Sequence, residues 1–293
     1  MPAEPDRCAG DGPVAVVTDS TAYLPAEVQA ECGVTVIPLW VSVAGRSGAE
    51  GTEVTPAAVV RALSLRRGPV HTSRPTPEAF GEAFRRLLDG GAGGVVSVHL
   101  SSRLSGTWES ARLAAAECGG DAVVRVVDSR STGMGLGFAV IAAARAARAG
   151  GSLAEVSAAA ARTAALTTSL FYVDTLEHLR RGGRIGAAQA LVGTALAVKP
   201  ILLIRDGEIV LAEKVRTTSR GIARLEALAL AAAGTAPVDI AVQHLAALER
   251  ATALAQRLVA AAPGVRHCYA TEVGAAVGAH TGPGLLGVAV APC

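Results

Sequence analysis

Residues 95–116 read VVSVHLSSRLSGTWESARLAAA, and this stretch indicates the class of fold. Its first six residues form an apolar run of the kind found in parallel strands that helices cover on both faces. A serine-rich loop follows, and Ser105-Gly106-Thr107 opens a helix that the pattern extends to Ala116. A buried strand, a polar loop and a helix in this order predict one unit of an α/β protein.

The same order recurs through the first half of the chain. Strands are predicted at residues 14–17, 34–41 and 123–127, and helices are predicted to begin near Pro25, Pro56, Pro77 and Met134. This alternation predicts an N-terminal domain with three α/β/α layers around a parallel sheet. We assign this domain residues 13–165. Residues 1–12, which combine prolines and acidic side chains, are interpreted as a disordered leader.

The order of elements changes after Ser152. Asp206-Gly207 lies between two apolar runs and predicts a hairpin with strands at 199–204 and 208–215. The other predicted elements are helices at 152–165, 176–180, 184–196, 219–233 and 246–262 and strands at 170–173, 238–242, 266–271 and 286–291. This pattern predicts a C-terminal α/β domain with a mixed sheet over residues 166–293.

Composition argues against several classes of function. Of the 293 residues, 51% are hydrophobic, 18% are charged and only 3% are aromatic, and the net charge is +2. A chain this apolar is expected to fold rather than remain disordered. The weak charge and the few rings argue against nucleic acid, which needs a basic field or stacking platforms. With so few rings, any internal cavity is expected to have aliphatic walls.

The cysteines and the C-terminal stretch bear on location. Five widely spaced cysteines without a CxxC pair are typical of reduced thiols and predict a cytoplasmic protein. Residues 273–293 carry no Asp, Glu, Lys or Arg, but His280, two prolines and several glycines interrupt them. We therefore interpret this stretch as buried strand and loop rather than a membrane span, and expect at most transient membrane contact.

Hydroxyl-rich segments stand where open α/β sheets bind ligands, beyond the carboxyl ends of strands. Free N–H groups and the helix dipole favour an anion there, such as a carboxylate or a phosphate. The alternative is that these serines and threonines only cap helices. The segments are residues 18–21, 72–73, 101–107 and 128–132.

Motifs for metal or covalent chemistry are missing from the sequence. The six histidines show no metal-ligand spacing, so we predict neither a metal nor a cofactor. Gly133 begins a segment that does not complete the dinucleotide motif G-x-G-x-x-G. His280 stands in a predicted glycine-rich loop, where backbone can approach a ligand closely; a locally bonded structural histidine is the alternative. No nucleophile stands beside an evident base, which favours a binding protein over an enzyme.

Taken together, these segments resemble the DegV family of bacterial fatty-acid-binding proteins. The similarity extends from Val14 to the C-terminus and is carried by VAVVTDSTAYLP, VIPLWV, HTSRPTPEAF, VSVHLSSRLSGTWESA, VVDSRSTGMG, FYVDTLEHLRRGGRI, KPILLIRDGEI and AHTGPGLLGVAV. The resemblance implies a two-domain protein that encloses one long-chain fatty acid, similar to palmitate, stearate or oleate, in an apolar tunnel formed largely by the C-terminal domain. It also implies a partner fatty acid kinase that phosphorylates the presented carboxylate to an acyl-phosphate for phospholipid synthesis.

The resemblance also implies roles for individual residues. Thr72 of the TS-x-P segment and Ser105 of LSGT would donate hydrogen bonds to the carboxylate, with His280 of H-x-GPG behind them in the same network. Arg184 of GGRI and Arg216 of KVR would face the kinase; solvated surface is the alternative for this basic region. The second choices for the carboxylate are Ser73, Ser101 and Ser102.

Three positions depart from the usual pattern of the family. Gln and Ser are common where this chain has Arg74 and Thr76, and a small acidic residue is usual at the position of Tyr23.

The alternative function is that of an enzyme related to dihydroxyacetone kinase. In such an enzyme, His280 would be the base or covalent anchor for a small phosphorylated or keto substrate. A DNA-linked regulator is a third, against which the weak basic charge argues.

Overall fold

The computed structural model describes residues 12–65, 68–186 and 198–293. The helices in these ranges are α1 Ala26–Cys32, α2 Pro56–Ser64, α3 Pro77–Asp89, α4 Thr107–Glu117, α5 Met134–Arg148, α6 Leu153–Leu166, α7 Glu177–Arg181, α8 Thr218–Ala233, α9 Leu248–Ala261 and α10 Ala275–Thr281. The strands are β1 Val14–Asp19, β2 Thr35–Ile37, β3 Trp40–Val43, β4 Arg46–Ala49, β5 Val70–Ser73, β6 Gly94–His99, β7 Val124–Asp128, β8 Thr168–Tyr172, β9 Lys199–Arg205, β10 Glu208–Val215, β11 Val238–His244, β12 Val265–Glu272 and β13 Leu286–Pro292.

The first half forms the predicted parallel sheet, with strand order β2-β1-β6-β7. Successive side chains of a strand point to opposite faces, and the core divides accordingly. Val96 and Val98 pack with α5 and α6, whereas Val95 packs with α3 and α4. The predicted three-layer arrangement of helix, sheet and helix is therefore confirmed.

The second half forms a mixed sheet of six strands in the order β10-β9-β8-β13-β11-β12. Only β11 and β12 are parallel, and the other neighbours are antiparallel. The predicted hairpin is confirmed: Asp206 and Gly207 both have positive φ, as the tight turn between β9 and β10 requires. Helices α8 and α9 pack on one face of this sheet.

A small antiparallel sheet of order β4-β3-β5 was not predicted from the sequence. We predicted one strand over residues 34–41, but Pro38 separates β2, which joins the parallel sheet, from β3, which does not. The short strands β4 and β5 carry weak apolar patterns, because only Gly48 is fully buried in β4 and every second residue of β5 is exposed. This small sheet turns out to carry part of the candidate site.

Helix α10 is a second element that the sequence analysis missed. We predicted residues 273–285 as buried strand and loop, but Ala275–Thr281 is helical and His280 lies in its last turn. The prediction that His280 stands in a flexible loop is therefore wrong. Gly278 inside the helix concealed it in the sequence, since glycine is a poor helix former, whereas Gly274 and Gly282 stand at its two caps. In the structure, α10 packs its alanines against the small sheet.

Helix α5 lies between the two large sheets. Leu136 and Val140 pack on the parallel sheet, whereas Met134, Phe138 and Ile141 pack against β11 and β13. The helix is buried around most of its circumference, which explains why its sequence is so evenly apolar. Thr132 and Gly133, which directly precede its N-terminus, line the candidate cavity.

Two predicted segments lie mostly outside the described residues, and the predicted domain boundary is a separate case. Residues 1–11, nearly all of the predicted leader, and 187–197, most of the predicted apolar helix, lie outside the described ranges. Helix α6 ends at Leu166 and the first strand of the six-stranded sheet begins at Thr168. A domain boundary near residue 165 stays a prediction, which limited proteolysis can test.

Candidate functional site

A cavity of about 920 Å³, including its opening to solvent, lies between the two large sheets and the small sheet. Its walls are mainly aliphatic, as the composition suggested, and among the described lining residues Phe171 is the one Phe, Tyr or Trp. The apolar lining consists of Leu39, Leu100, Leu104, Leu170, Phe171, Leu179, Ile204, Ile209, Val273, Ala276, Val277, Leu285, Val288 and Ala289. Such a surface suits a long apolar ligand.

Two polar lining residues, Thr72 and His280, come from distant parts of the chain. Thr72 Oγ1 lies 2.8 Å from His280 Nε2. Thr72 is on β5 and faces inward because it alternates with the exposed Ser73. The packing of α10 against the small sheet places His280 beside it. Both residues line the cavity.

Burial, and after it the positive charge of Arg184, lower the pKa of His280 to about 4. The imidazole is therefore neutral near pH 7. Its Nδ1 atom is buried without a hydrogen-bond partner among the described residues. With the proton on Nε2, the ring donates to Thr72 Oγ1, and the hydroxyl proton of Thr72 is left for a ligand oxygen.

Ser105 lines the same cavity from the loop between β6 and α4, at the carboxyl edge of the parallel sheet. Its Oγ lies 2.9 Å from Thr107 Oγ1 and accepts a hydrogen bond from the Thr107 N–H. The guanidinium of Arg74 packs against Gly106 so closely that a Cβ at residue 106 would clash with it. Arg74, one of the departures from the family pattern, thus adds positive charge next to this loop.

Arg184 lies in the wall of the cavity. Its Nε donates to the Leu104 carbonyl at 3.1 Å, which fixes the guanidinium beside the Ser105 loop. The family resemblance implied a surface that faces a partner, and the structure adds that this arginine also reaches the ligand space. Arg216 is exposed after β10 and does not line the cavity.

The three second-choice serines do not line the cavity. Ser73 is exposed on the opposite face of β5 from Thr72. Ser101 is buried, and its hydroxyl donates to the Gly207 carbonyl at 2.7 Å. Ser102 is exposed and donates to Asp128 at 2.6 Å. Two of these hydroxyls therefore hold loops together, and none is placed with Thr72 and Ser105.

A second group of polar residues lines the cavity from other elements. It consists of Thr21, Thr132, Ser169 and Gln243. Thr21 and Thr132 belong to hydroxyl-rich segments that the sequence singled out, but Ser169 and Gln243 lie within strands and carried no signal. We call these four residues the second polar group.

Helix α10 is held at its N-terminus by side chains from the first quarter of the chain. Glu50 accepts a hydrogen bond from the Ala276 N–H at 2.7 Å, and Tyr23 OH accepts from the Val277 N–H at 3.2 Å. Tyr23 in turn donates to Glu50 at 3.0 Å. Burial is the main cause that raises the pKa of both groups. Tyr23, another departure from the family pattern, therefore helps to place the helix that carries His280.

A buried Asp19, His99 and Ser97 arrangement has the order of a catalytic triad. His99 Nδ1 lies 3.0 Å from Asp19, and Ser97 Oγ lies 2.6 Å from His99 Nε2. All three side chains are fully buried, and none lines the cavity. Asp19 also accepts a hydrogen bond from the Leu100 N–H, so this network holds the loops around the cavity rather than contacting a ligand.

The Thr72 and His280 pair resembles a nucleophile beside a base, which the sequence did not show. In hydrolytic triads a third group orients the base through its other ring nitrogen. Nδ1 of His280 has no such partner within the described part of the chain. The arrangement therefore favours hydrogen bonding to an anion over covalent catalysis.

Within residues 12–65, 68–186 and 198–293, no group of three or more His, Cys, Asp or Glu side chains is arranged to hold a metal ion. No helix in those ranges combines the length and the apolar character that crossing a bilayer requires.

A family model described as "Uncharacterised protein, DegV family" matches residues 13–293. A DegV domain-containing protein of Streptomyces coelicolor is 56% identical over 277 residues, which cover 94% of this chain and 98% of that protein.

Two solved structures are similar over nearly the whole chain. A DegV family protein of Thermus thermophilus, described by its fatty acid binding, matches with a TM-score of 0.91 at 34% identity, covering 96% of this chain and 100% of that one. DegV of Bacillus subtilis, described as a fatty acid binding protein, matches with a TM-score of 0.84 at 32% identity, with the same coverage.

Proposed function

The chain belongs to the DegV family, and from this premise we propose that it binds one long-chain fatty acid in the cavity between its sheets. The observation that carries the proposal is an aliphatic cavity bordered by the hydrogen-bonded pair of Thr72 and His280. Solved structures of the family from Thermus thermophilus and Bacillus subtilis are described as fatty acid binding.

Burial of the acyl chain supplies most of the affinity in this proposal. Each buried methylene contributes about 0.8 kcal/mol, so a chain of about fifteen carbons gains roughly 12 kcal/mol before the costs of lost motion. The aliphatic lining supports this, because it presents methyl and methylene groups to the chain.

The carboxylate is proposed to lie among Thr72, Ser105, Arg184 and His280. Two hydroxyls donate to its oxygens, and the guanidinium of Arg184 supplies the opposite charge. The neutral His280 acts behind Thr72, since its Nε2 proton directs the threonine proton toward the ligand. All four side chains line the cavity, which supports this placement.

We propose further that the protein presents the bound acid to a fatty acid kinase, for acyl-phosphate formation and phospholipid synthesis. On this proposal the protein itself is a binding subunit and not an enzyme. The family resemblance suggests the role, and the exposed Arg216 together with Arg184 would contact the kinase. The cytoplasmic location predicted from the cysteines fits such a partner.

Native mass spectrometry of the purified protein tests fatty acid binding. We expect an added mass that matches one long-chain fatty acid, and stoichiometric uptake of oleic or stearic acid by delipidated protein. A protein that carries no lipid and takes none up would refute the proposal. Turnover of a small phosphorylated or keto substrate, abolished by His280→Ala, would support the enzyme alternative instead.

The kinase role needs a separate test. Arg216→Glu is expected to leave fatty acid binding unchanged and to lower acyl-phosphate formation by a fatty acid kinase with ATP. Arg220→Glu, an exposed position on the next helix, serves as the matched control. Equal phosphorylation with both variants would remove Arg216 from the proposed interface.

A further inference from the structure

The second polar group is not explained by a saturated acyl chain. Its members Thr21, Thr132, Ser169 and Gln243 line the cavity, yet methylene groups offer them no hydrogen bond. They also lie on different elements from the proposed carboxylate site, which uses β5, the Ser105 loop, the Arg184 segment and α10. A function of these side chains therefore has to be sought along the chain of the ligand.

Thr21 Oγ1 already donates to Asp19 at 2.5 Å, but the hydrogen bonds of the other three side chains leave capacity unused. Thr132 Oγ1 is buried and has no partner among the described residues. Ser169 Oγ lies 3.0 Å from Ser131 Oγ, so one of the two hydroxyl protons remains free. Gln243 accepts from the Met134 N–H at 2.8 Å and donates to Thr271 at 3.2 Å, which leaves one amide proton.

An unpaired buried hydroxyl is unfavourable, and a ligand oxygen would relieve it. Thr132 needs only a rotation about its Cα–Cβ bond to direct the hydroxyl to another staggered position. Gln243 pairs with Gly287 and Ser169 pairs with Ala289 on β13. These positions spread the available donors over roughly 7 Å along the sheet.

The charge of the group restricts the chemistry of the ligand. None of its four side chains is ionised, and a second carboxylate would be buried there without a cation. A neutral hydroxyl can both donate to and accept from threonine, serine and glutamine. Resting on the proposed fatty acid function, we infer that the cavity is built to take an acyl chain that carries a hydroxyl group.

The test compares stearic acid with a set of positional isomers of monohydroxystearic acid. Displacement of a fluorescent fatty acid from delipidated full-length protein gives the relative affinities. We expect at least one isomer to bind about three- to tenfold more tightly than stearic acid, as one net hydrogen bond provides. Thr132→Val is expected to abolish that preference, so that each isomer binds this variant no more tightly than stearic acid does.

Controls separate the inference from the proposed function. Thr132→Ser keeps the hydroxyl and should keep the preference, and Ser169→Ala should reduce it. Thr167→Val removes a half-buried hydroxyl outside the cavity, bonded to the Thr163 carbonyl, and should change nothing. If no isomer binds more tightly than stearic acid, the inference is overturned while the proposed function stands. The same holds if the preference for an isomer survives Thr132→Val. Failure of all acids to bind would overturn the proposed function and this inference with it.

Discussion

Replacing Thr72 by valine tests the proposed carboxylate site most directly. Valine has a methyl group where threonine has its hydroxyl, so the side chain keeps its shape in β5. The change removes the atom that lies 2.8 Å from His280 Nε2 and, on our proposal, one hydrogen bond to the carboxylate. A hydrogen bond to a charged group contributes about 1.5–3 kcal/mol, so the dissociation constant should rise roughly 10- to 150-fold.

The assay measures displacement of a fluorescent fatty acid by oleic acid and, separately, by methyl oleate. Methyl oleate carries no charge, so the loss caused by Thr72→Val should be several-fold smaller for it than for oleic acid. The variant also leaves His280 Nε2 without a partner, which should lower the free energy of unfolding by about 1–3 kcal/mol. Chemical denaturation measures this effect independently of the ligand.

The neighbouring residue provides a matched control. Ser73 follows Thr72 on the same strand but is exposed and outside the cavity lining, so Ser73→Ala should leave both affinities unchanged. Thr72→Ser keeps the hydroxyl and should bind oleic acid nearly as well as the wild type. Equal losses for oleic acid and its methyl ester with Thr72→Val would refute a role in carboxylate binding.

Three further predictions concern pH, α10 and the cavity walls. The fold lowers the pKa of His280 from 6.5 to about 4, so the unfolded chain takes up a proton on this ring before the folded chain does as the pH falls. The free energy of unfolding should therefore fall by roughly 3 kcal/mol between pH 6.5 and 4. Chemical denaturation of His280→Gln across this range should lack that loss, and an equal dependence on pH in the variant would contradict the lowered pKa of His280. Glu50→Ala removes the acceptor for the Ala276 N–H and should lower the free energy of unfolding by about 1–3 kcal/mol. Glu50→Gln keeps an acceptor oxygen and should lower it less. Equal losses with the two variants would contradict a hydrogen-bonding role for Glu50. Ile204→Trp should fill part of the cavity and weaken the binding of stearic acid more than that of a shorter acid. Ile222→Trp, on the other face of the sheet, should leave both affinities unchanged. Unchanged displacement with Ile204→Trp would place the acyl chain elsewhere.

The regular parts of the fold could be predicted because their signals are local. Val95–Leu100 is rich in valine and buried throughout because helices cover both faces of β6, and Asp206-Gly207 can adopt the two positive φ angles that a tight hairpin needs. The small sheet and α10 could not be predicted in this way. Their strands are short and partly exposed, and glycine at residue 278 masks the helix.

The candidate site shows the same division. The sequence singled out Thr72, Ser105 and His280 through hydroxyl-rich segments and the family resemblance. It gave no sign of Ser169 or Gln243, because a polar residue inside a strand has the same sequence pattern whether it faces a cavity, solvent or another strand. The resemblance implied a partner-facing role for Arg184 and gave no sign that this side chain also lines the cavity.

By itself, the sequence determined the α/β class, the parallel and mixed sheets, and an aliphatic interior, since each follows from the periodicity and composition of short segments. The tertiary structure decided which of the hydroxyls meet. Thr72 and His280 are 208 residues apart in the chain, yet 2.8 Å separates their side chains because α10 packs its alanines on the small sheet. Glu50 and Tyr23 accept hydrogen bonds from N–H groups near the start of that helix across 226 and 254 residues of sequence. Contacts of this kind depend on the packing of several elements at once, which no local pattern encodes.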